Sequence, residues 1–369
     1  MKSKKTKGSI YVCHTYYHVY VAFLKELNKP REEWGKATLI LSKMSIDFEN
    51  LKERVEKVGL FEEVLEYDEK RQSAYPELDK YMVQGGNIVG NMFRRIIMTK
   101  KFGKLCEKDI PVDFTQYQDI YVFCDSDPIG YYLNYKHIYY HAVEDGMNLA
   151  RYCDYARFDN RGCFPLKAFM SKKLNIIFIQ NGYGRYCLDM EVNDVSLNNP
   201  GPKCAEIKYV EIRRQTLVDN LTDEGKDMLL RAFVRDFDRI KKQVQESVGK
   251  DKILILTEPL CDLKTRERIF RDIIAMYEKE GDIYIKPHPR DELDYRTLFA
   301  EYPQFDATVP MEMLNFFKEF HVKKVISVFT EVEALKFADS SVWLGPDFMD
   351  KYEDPALHKQ NEMTNLAVK

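Results

Sequence analysis

Apolar positions along this chain follow two alternating rhythms. Short runs rich in Ile, Val, Tyr and Phe, each bounded by polar or turn residues, predict strands. In the first half these are SIYVCHT, ATLILSK, DIYVFCD, HIYYHAVED and LNIIFIQN; in the second they are KILILTEP, DIYIKPH, KKVISVFT and SVWLGP. Between them, stretches such as RERIFRDIIAMYEKEG and MEMLNFFKEF carry the three-to-four spacing of amphipathic helices. Strand–helix alternation on this scale predicts an α/β fold with parallel sheets covered on both faces. The longest helical pattern spans residues 222–251 and ends at Gly249. It marks the expected junction between a domain of residues 1–245, which includes this helix, and a domain of residues 246–369. Two such domains would face each other across a cleft lined by the carboxyl ends of strands, where ligands of these sheets bind.

Composition narrows the class. With 369 residues, 45% hydrophobic and 31% charged, the chain is long enough for two sizeable cores and reads as globular. A formal charge of -3 excludes a general nucleic-acid binder, which would be basic. Eight scattered cysteines without a CxxC pair predict reduced thiols and a cytoplasmic protein. No stretch approaches the roughly 20 apolar residues that cross a bilayer, and no signal peptide is expected. Lys2, Lys4, Lys5 and Lys7 make a basic N-terminus, read as a solvated end that offers peripheral contact to the inner face of an anionic membrane.

Four strand ends carry candidate chemistry. Glu144-Asp145-Gly146 places two carboxylates before a permissive glycine; one can act as a general base, or the pair can be a solvated corner. In Thr257-Glu258-Pro259, followed by Asp262, the aspartate is either a catalytic carboxylate or the N-cap of the next helix. In Lys286-Pro287-His288-Pro289-Arg290 the two prolines fix their own φ and hold their predecessors extended, so His288 has little backbone freedom. An imidazole with a reference pKa of about 6.5 can protonate or hydrogen-bond a phosphate, and Lys286 and Arg290 add positive field. Ser327, Phe329 and Thr330 lead from a strand towards a helix, a phosphate-binding geometry. Thr330 and Glu333 also read there as a capping box.

Two other patterns point away from metal. Asp125-Ser126-Asp127 resembles the Asp-x-Asp of metal-dependent sugar transferases, but Asp127-Pro128 reads better as a helix start. His137 and His141 are four apart in a strand-like run, a spacing that makes no metal face, and are expected to pack. No metal or cofactor is expected.

In order and spacing these segments resemble glycosyltransferase family 52, the bacterial lipooligosaccharide and capsule sialyltransferases. The resemblance rests on Glu144-Asp145-Gly146, Pro259 with Asp262, Pro287-His288-Pro289-Arg290 and Phe329-Thr330. VCHTYYHVYVA near the start and VPMEML at residues 309–314 extend it. It implies a GT-B arrangement of two Rossmann-like domains and an inverting, metal-independent transfer of sialic acid from CMP-sialic acid to a sugar hydroxyl, often a terminal galactose. It further implies that His288 assists departure of CMP, that Glu312 grips the ribose, and that Thr257, Glu258, Lys286, Pro289, Arg290, Ser327, Phe329 and Thr330 surround the nucleotide. Asp145 and Asp262 both fit the base. Asp262 is favoured because its loop adjoins the His288 strand, with Glu144, Asp145 and Gly146 then orienting a substrate. Family members are often dimers, so a homodimer is an expectation. Another nucleotide sugar, a CDP-alcohol phosphotransferase, or a non-catalytic glycan- or nucleotide-binding module are the rival readings.

Overall fold

The computed structural model describes residues 5–355 except 46, 73–74, 83–84, 86, 124, 126–127, 146–162, 198–208, 236, 247–250, 308, 310, 318–319, 331 and 333–334; Gly146 and the side chain of Glu312 lie outside the described part. The chain forms two compact units, Met1–Met228 and Leu229–Lys369.

The first unit is built on seven strands: β1 (Ile10–Cys13), β2 (Ala37–Ser42), β3 (Phe61–Tyr67), β4 (Ile120–Phe123), β5 (Tyr140–Val143), β6 (Cys187–Val192) and β7 (Tyr209–Glu211). All pair in parallel, in the order β3-β2-β1-β4-β5-β6-β7. Every residue of β1 and β2 is buried, as a sheet covered on both faces requires. The order reverses between β1 and β4, the point at which such sheets bind ligands beyond their carboxyl ends. Helix α1 (Tyr16–Leu27) follows β1 at once, its first turn capped by the Thr15 hydroxyl, which accepts from the His18 N–H. Helix α2 (Ile88–Cys106) is capped by the Asn87 side chain, and α3 (Phe164–Lys172) covers the core.

Strands β3, β6 and β7 were not expected, and LNIIFIQN, expected as a strand, is not one. Ile177, Phe178 and Ile179 are buried as predicted. Their backbone partners, however, lie at the end of α3: Ile176 N–H donates to Met170 O at 3.2 Å and Ile179 N–H to Ser171 Oγ at 3.1 Å. Left-handed Asn175 and Asn181 close the segment at both ends, so it cannot run extended along a neighbour.

The second unit has four parallel strands, β8 (Lys252–Leu256), β9 (Asp282–Lys286), β10 (Lys324–Ser327) and β11 (Ser341–Trp343), in the order β11-β10-β8-β9. The helical pattern of 222–251 divides into α4 (Asp223–Phe233) and α5 (Phe237–Glu246), and the units part at Met228/Leu229, inside that pattern and ahead of the expected 245/246 junction. The reason is packing: Phe237 sets its ring 6.1 Å from Phe317 of the second unit, and Ile240 is buried. Helix α6 (Leu263–Tyr277) buries Ile269, Phe270, Ile273 and Ile274, one stripe at helical spacing. MEMLNF forms a 3₁₀ helix, Met311–Phe316. No helix among the described residues is long and apolar enough to cross a membrane.

Candidate active site

The second sheet reverses between β8 and β10, and the expected residues gather at the carboxyl ends of β8, β9 and β10. His288 leaves β9 half-buried. Its backbone N–H donates to Thr257 Oγ1 at 3.0 Å, which ties it to the end of β8. Its Nδ1 accepts from the Arg290 N–H at 3.1 Å. A ring nitrogen that accepts cannot carry the proton, so the neutral imidazole holds it on Nε2. Burial first, then the charges of Arg290 and Lys286, hold the pKa of His288 below its usual value. In its neutral form the ring is a hydrogen-bond donor through Nε2.

Beneath this loop lies a network that sequence reasoning missed. Asp291, whose side chain is fully buried, accepts from Arg266 Nη1 at 2.6 Å, Tyr295 OH at 2.8 Å, Leu293 N–H at 3.1 Å and Thr257 Oγ1 at 3.2 Å. Arg266 also donates to Leu260 O at 2.6 Å and Cys261 O at 2.9 Å, so one guanidinium joins the loop after β8 to the loop after β9. Neither residue stands in a recognisable motif. Their only signal is position, three residues after His288 and four after Asp262. Lys286 is buried, its ammonium donating to Pro287 O at 3.0 Å and Ala307 O at 3.1 Å, which makes it a brace for the loop as well as a source of field. Pro289 and Arg290 are exposed.

The turn after β10 departs from expectation. Among the described residues no helix lies between β10 and β11; Glu331 and Glu333 of the expected capping box lie outside them. The turn is instead held internally. Ser327 Oγ donates to Thr330 O at 2.6 Å, and the N–H groups of Phe329 (2.8 Å) and Thr330 donate to the two carboxylate oxygens of buried Glu258. The amides expected to meet donor phosphate are occupied by a side chain of the protein. Asp262 is the N-cap of α6: it accepts from Lys264 N–H at 3.0 Å, Thr265 N–H at 3.1 Å and Thr265 Oγ1 at 2.7 Å, and the Thr265 bonds hold its carboxyl below the usual range. Glu312 lies on the 3₁₀ helix Met311–Phe316.

In the first unit the acidic pair after β5 splits to opposite roles, as neighbours on an extended segment must. Glu144 is buried, accepts from Asn193 N–H at 2.7 Å and lies 3.6 Å from Arg214; burial, partly offset by Arg214, raises its pKa. Asp145 is exposed and its Oδ1 meets His18 Nε2 at 2.5 Å. His18 is buried on α1, stacked on Phe123 with ring centroids 4.5 Å apart, and its Nδ1 accepts from the His14 N–H at 3.0 Å. Nε2 therefore carries the proton and donates it to Asp145. Buried His14 and Ser42 both bond buried Glu69, His14 at 3.0 Å, and Glu69 also accepts from the Ile129 N–H at 3.1 Å.

Asp125 is buried, accepting from Tyr140 OH at 2.9 Å and Asn181 N–H at 2.6 Å; Ser126 and Asp127 lie outside the described residues. His141 pairs with Asp189 at 2.8 Å, and His137 stacks on Tyr186 at 4.8 Å, so both pack. Among the described residues no three His, Cys, Asp or Glu cluster as metal ligands.

A solved structure to which the chain is similar is an alpha/beta-galactoside alpha-2,3-sialyltransferase of Photobacterium phosphoreum. It is 12% identical, with TM-score 0.41, over 91% of this chain and 90% of that one. A 2,6-sialyltransferase of Photobacterium sp. JT-ISH-224, solved with CMP and lactose, is 11% identical with TM-score 0.43, over 98% of this chain and 76% of that one. An uncharacterized protein of Haemophilus influenzae is 32% identical over 134 residues, 35% of this chain; the match spans 42% of that relative's length. The model of glycosyltransferase family 52 matches residues 98–338, which include Asp145, Asp262, His288 and Thr330 and make up more than half of the sequence. The chain belongs to glycosyltransferase family 52.

Proposed function

We propose that the protein transfers sialic acid from CMP-sialic acid to a sugar hydroxyl, such as a terminal galactose, of a bacterial surface glycan, with inversion and without a metal ion. The observation that carries this reading is His288: an imidazole fixed by two backbone-linked hydrogen bonds, with its only proton on Nε2 and Arg290 beside it. As the bond from C2 of the sugar to the phosphate oxygen breaks, the electron pair stays on that oxygen. A donor already aimed there stabilises charge that is greatest in the transition state. Arg290 and the field of Lys286 supply the positive charge that a metal gives other transferases.

Asp145 takes the proton of the acceptor hydroxyl as its oxygen attacks C2. It is exposed to substrate and oriented by a buried donor, whereas Asp262 spends both oxygens on its helix cap and is a weaker base for it. Asparagine caps helices as well as aspartate, so Asp262→Asn separates the two roles. Asp262→Asn should keep most of its turnover, and Asp145→Asn should lose roughly 10²–10⁴-fold. The reverse pattern would assign the base to Asp262.

The test of function is release of nucleotide from CMP-sialic acid, CDP-glycerol and UDP-hexoses in the presence of a galactoside. Turnover only with CMP-sialic acid, undiminished by excess EDTA, supports the reading. Turnover only with another donor, or loss on chelation restored by Mg²⁺, replaces it.

A further inference from the structure

Helix α1 meets its sheet through buried charge as well as through apolar packing. His18 and Lys25 are two turns apart and so lie on one face of the helix. His18 reaches Asp145. The Lys25 ammonium lies 3.8 Å from the centre of the Tyr121 ring and pairs with Glu191 of β6. Glu191 stands beside Val143 in the register of β5 and β6, and its carbonyl accepts from the Glu144 N–H at 3.0 Å. On the far side of Glu144 is Arg214, first residue of the helix Arg214–Asp219. Its guanidinium lies 3.6 Å from the Glu144 carboxylate. Its backbone N–H donates to Asn193 Oδ1 at 2.8 Å, and the Asn193 N–H donates to Glu144 Oε1 at 2.7 Å. None of the four charged side chains is more than 11% exposed. Two acids and two bases taken out of water stabilise a fold no better than apolar residues of the same volume. What such pairs can add is register: an apolar helix face tolerates sliding along a sheet, and a buried ion pair does not.

We propose that Lys25, Glu191, Arg214 and Glu144 are positioning residues that hold Asp145 against His18 for the transfer. Both holds on Asp145 lead back to this cluster. Its backbone continues from Glu144, which Arg214 and Asn193 fix, and its carboxylate meets His18, carried by the helix that Lys25 anchors to β6. A displacement of about 1 Å between reacting groups costs roughly 10²-fold in rate, so a helix that slips by a fraction of a turn is felt at Asp145. This role rests on the reading of Asp145 as the base.

Two variants of the full chain each remove both partners of a pair, Lys25→Met/Glu191→Leu and Arg214→Met/Glu144→Gln, and leave no buried charge without its partner. Circular dichroism should show both folded, with thermal midpoints near that of the parent. Turnover of CMP-sialic acid with a galactoside should fall roughly 10- to 100-fold, with donor KM unchanged. A carboxylate that loses a hydrogen-bond donor has a higher pKa, so the acid limb of the kcat profile should move to higher pH. Of the described titratable groups, Asp145 and His14 act on the His18 ring, and Asp145 is the one that raises its pKa against burial. The His18 midpoint, followed by imidazole NMR, should therefore move the opposite way, further down. Arg214→Lys, which keeps a cation beside Glu144, should lie between the parent and the double variant; if the doubles do not fold, it and Lys25→Arg should show the same two shifts at smaller size. Parent-like kcat with both midpoints in place overturns the proposal, and so does a lower kcat with both midpoints in place, which would mean packing only. Asp145→Asn separates this failure from that of the reading beneath it. If that variant keeps its turnover, the base lies elsewhere and both fall; if it is inactive while the cluster variants behave as the parent does, only the positioning role falls.

Discussion

Two histidines, His18 and His288, have Nδ1 held by a backbone N–H, so in each the fold decides which nitrogen carries the proton. Burial lowers the pKa of both below the ordinary value. The unfolded chain takes up these protons near pH 6.5, the folded chain only at lower pH. Between the two values the unfolded state holds more protons, so stability falls as pH falls through that window. A dianionic phosphate at His288 reverses its shift: the ring should titrate below pH 6.5 in the free protein and higher with CMP bound, followed by imidazole NMR. An unshifted midpoint in the free protein contradicts the assigned environment. On the proposed reading, His18 acts through Asp145. His18→Phe keeps the stack on Phe123 and removes the donor, and a hydrogen bond to a charged group is worth roughly 1.5–3 kcal/mol. Turnover should drop about 10- to 100-fold with donor KM unchanged, and His18→Gln should recover part of it; equal loss in both variants would indicate a packing role only. His288 was legible because prolines on either side announce a fixed residue. His18 was not, because its partner lies 127 positions away and nothing local signals the pairing.

At the scale of elements, the loops after β8 and β9 are positioned by the Arg266–Asp291 pair. Removing one partner of a buried pair leaves an uncompensated charge and costs roughly 3–5 kcal/mol. Arg266→Met should lower the urea stability of the second unit by about that much, and Asp291→Asn added to it should restore a large part. A change within error for the single variant would remove the pair from the account. Strands with continuous apolar runs were readable, and eight of the nine expected ones form. β3 escaped because its buried positions, Phe61, Val64 and Tyr67, are three apart, a helical spacing, and LNIIFIQN deceived because burial alone makes an apolar run without making a strand. The turn at Phe329 and Thr330 was read from a local capping pattern. Glu258 holds that turn from another strand, a long-range contact the local pattern does not encode.

For the whole molecule, alternation of strand and helix was enough to foretell two all-parallel α/β units. The junction was displaced because an amphipathic pattern shows that a segment packs but not on which side of a break. Each sheet takes its strands from its own unit: seven from the first, four from the second. The full chain should therefore unfold in two denaturant transitions, and CMP, which the proposed function places at the ends of β8, β9 and β10, should move only one of them. A single transition, or an equal shift of both, contradicts this. The same partition bears on synthesis. Parallel strands need long-range partners and pair slowly, and while unpaired their edges invite aggregation. Since among the described residues no partner of β1 to β7 lies in the second unit, the first sheet can close before a ribosome has finished the chain. The nascent protein then meets that hazard in two instalments, never with both sheets open at once.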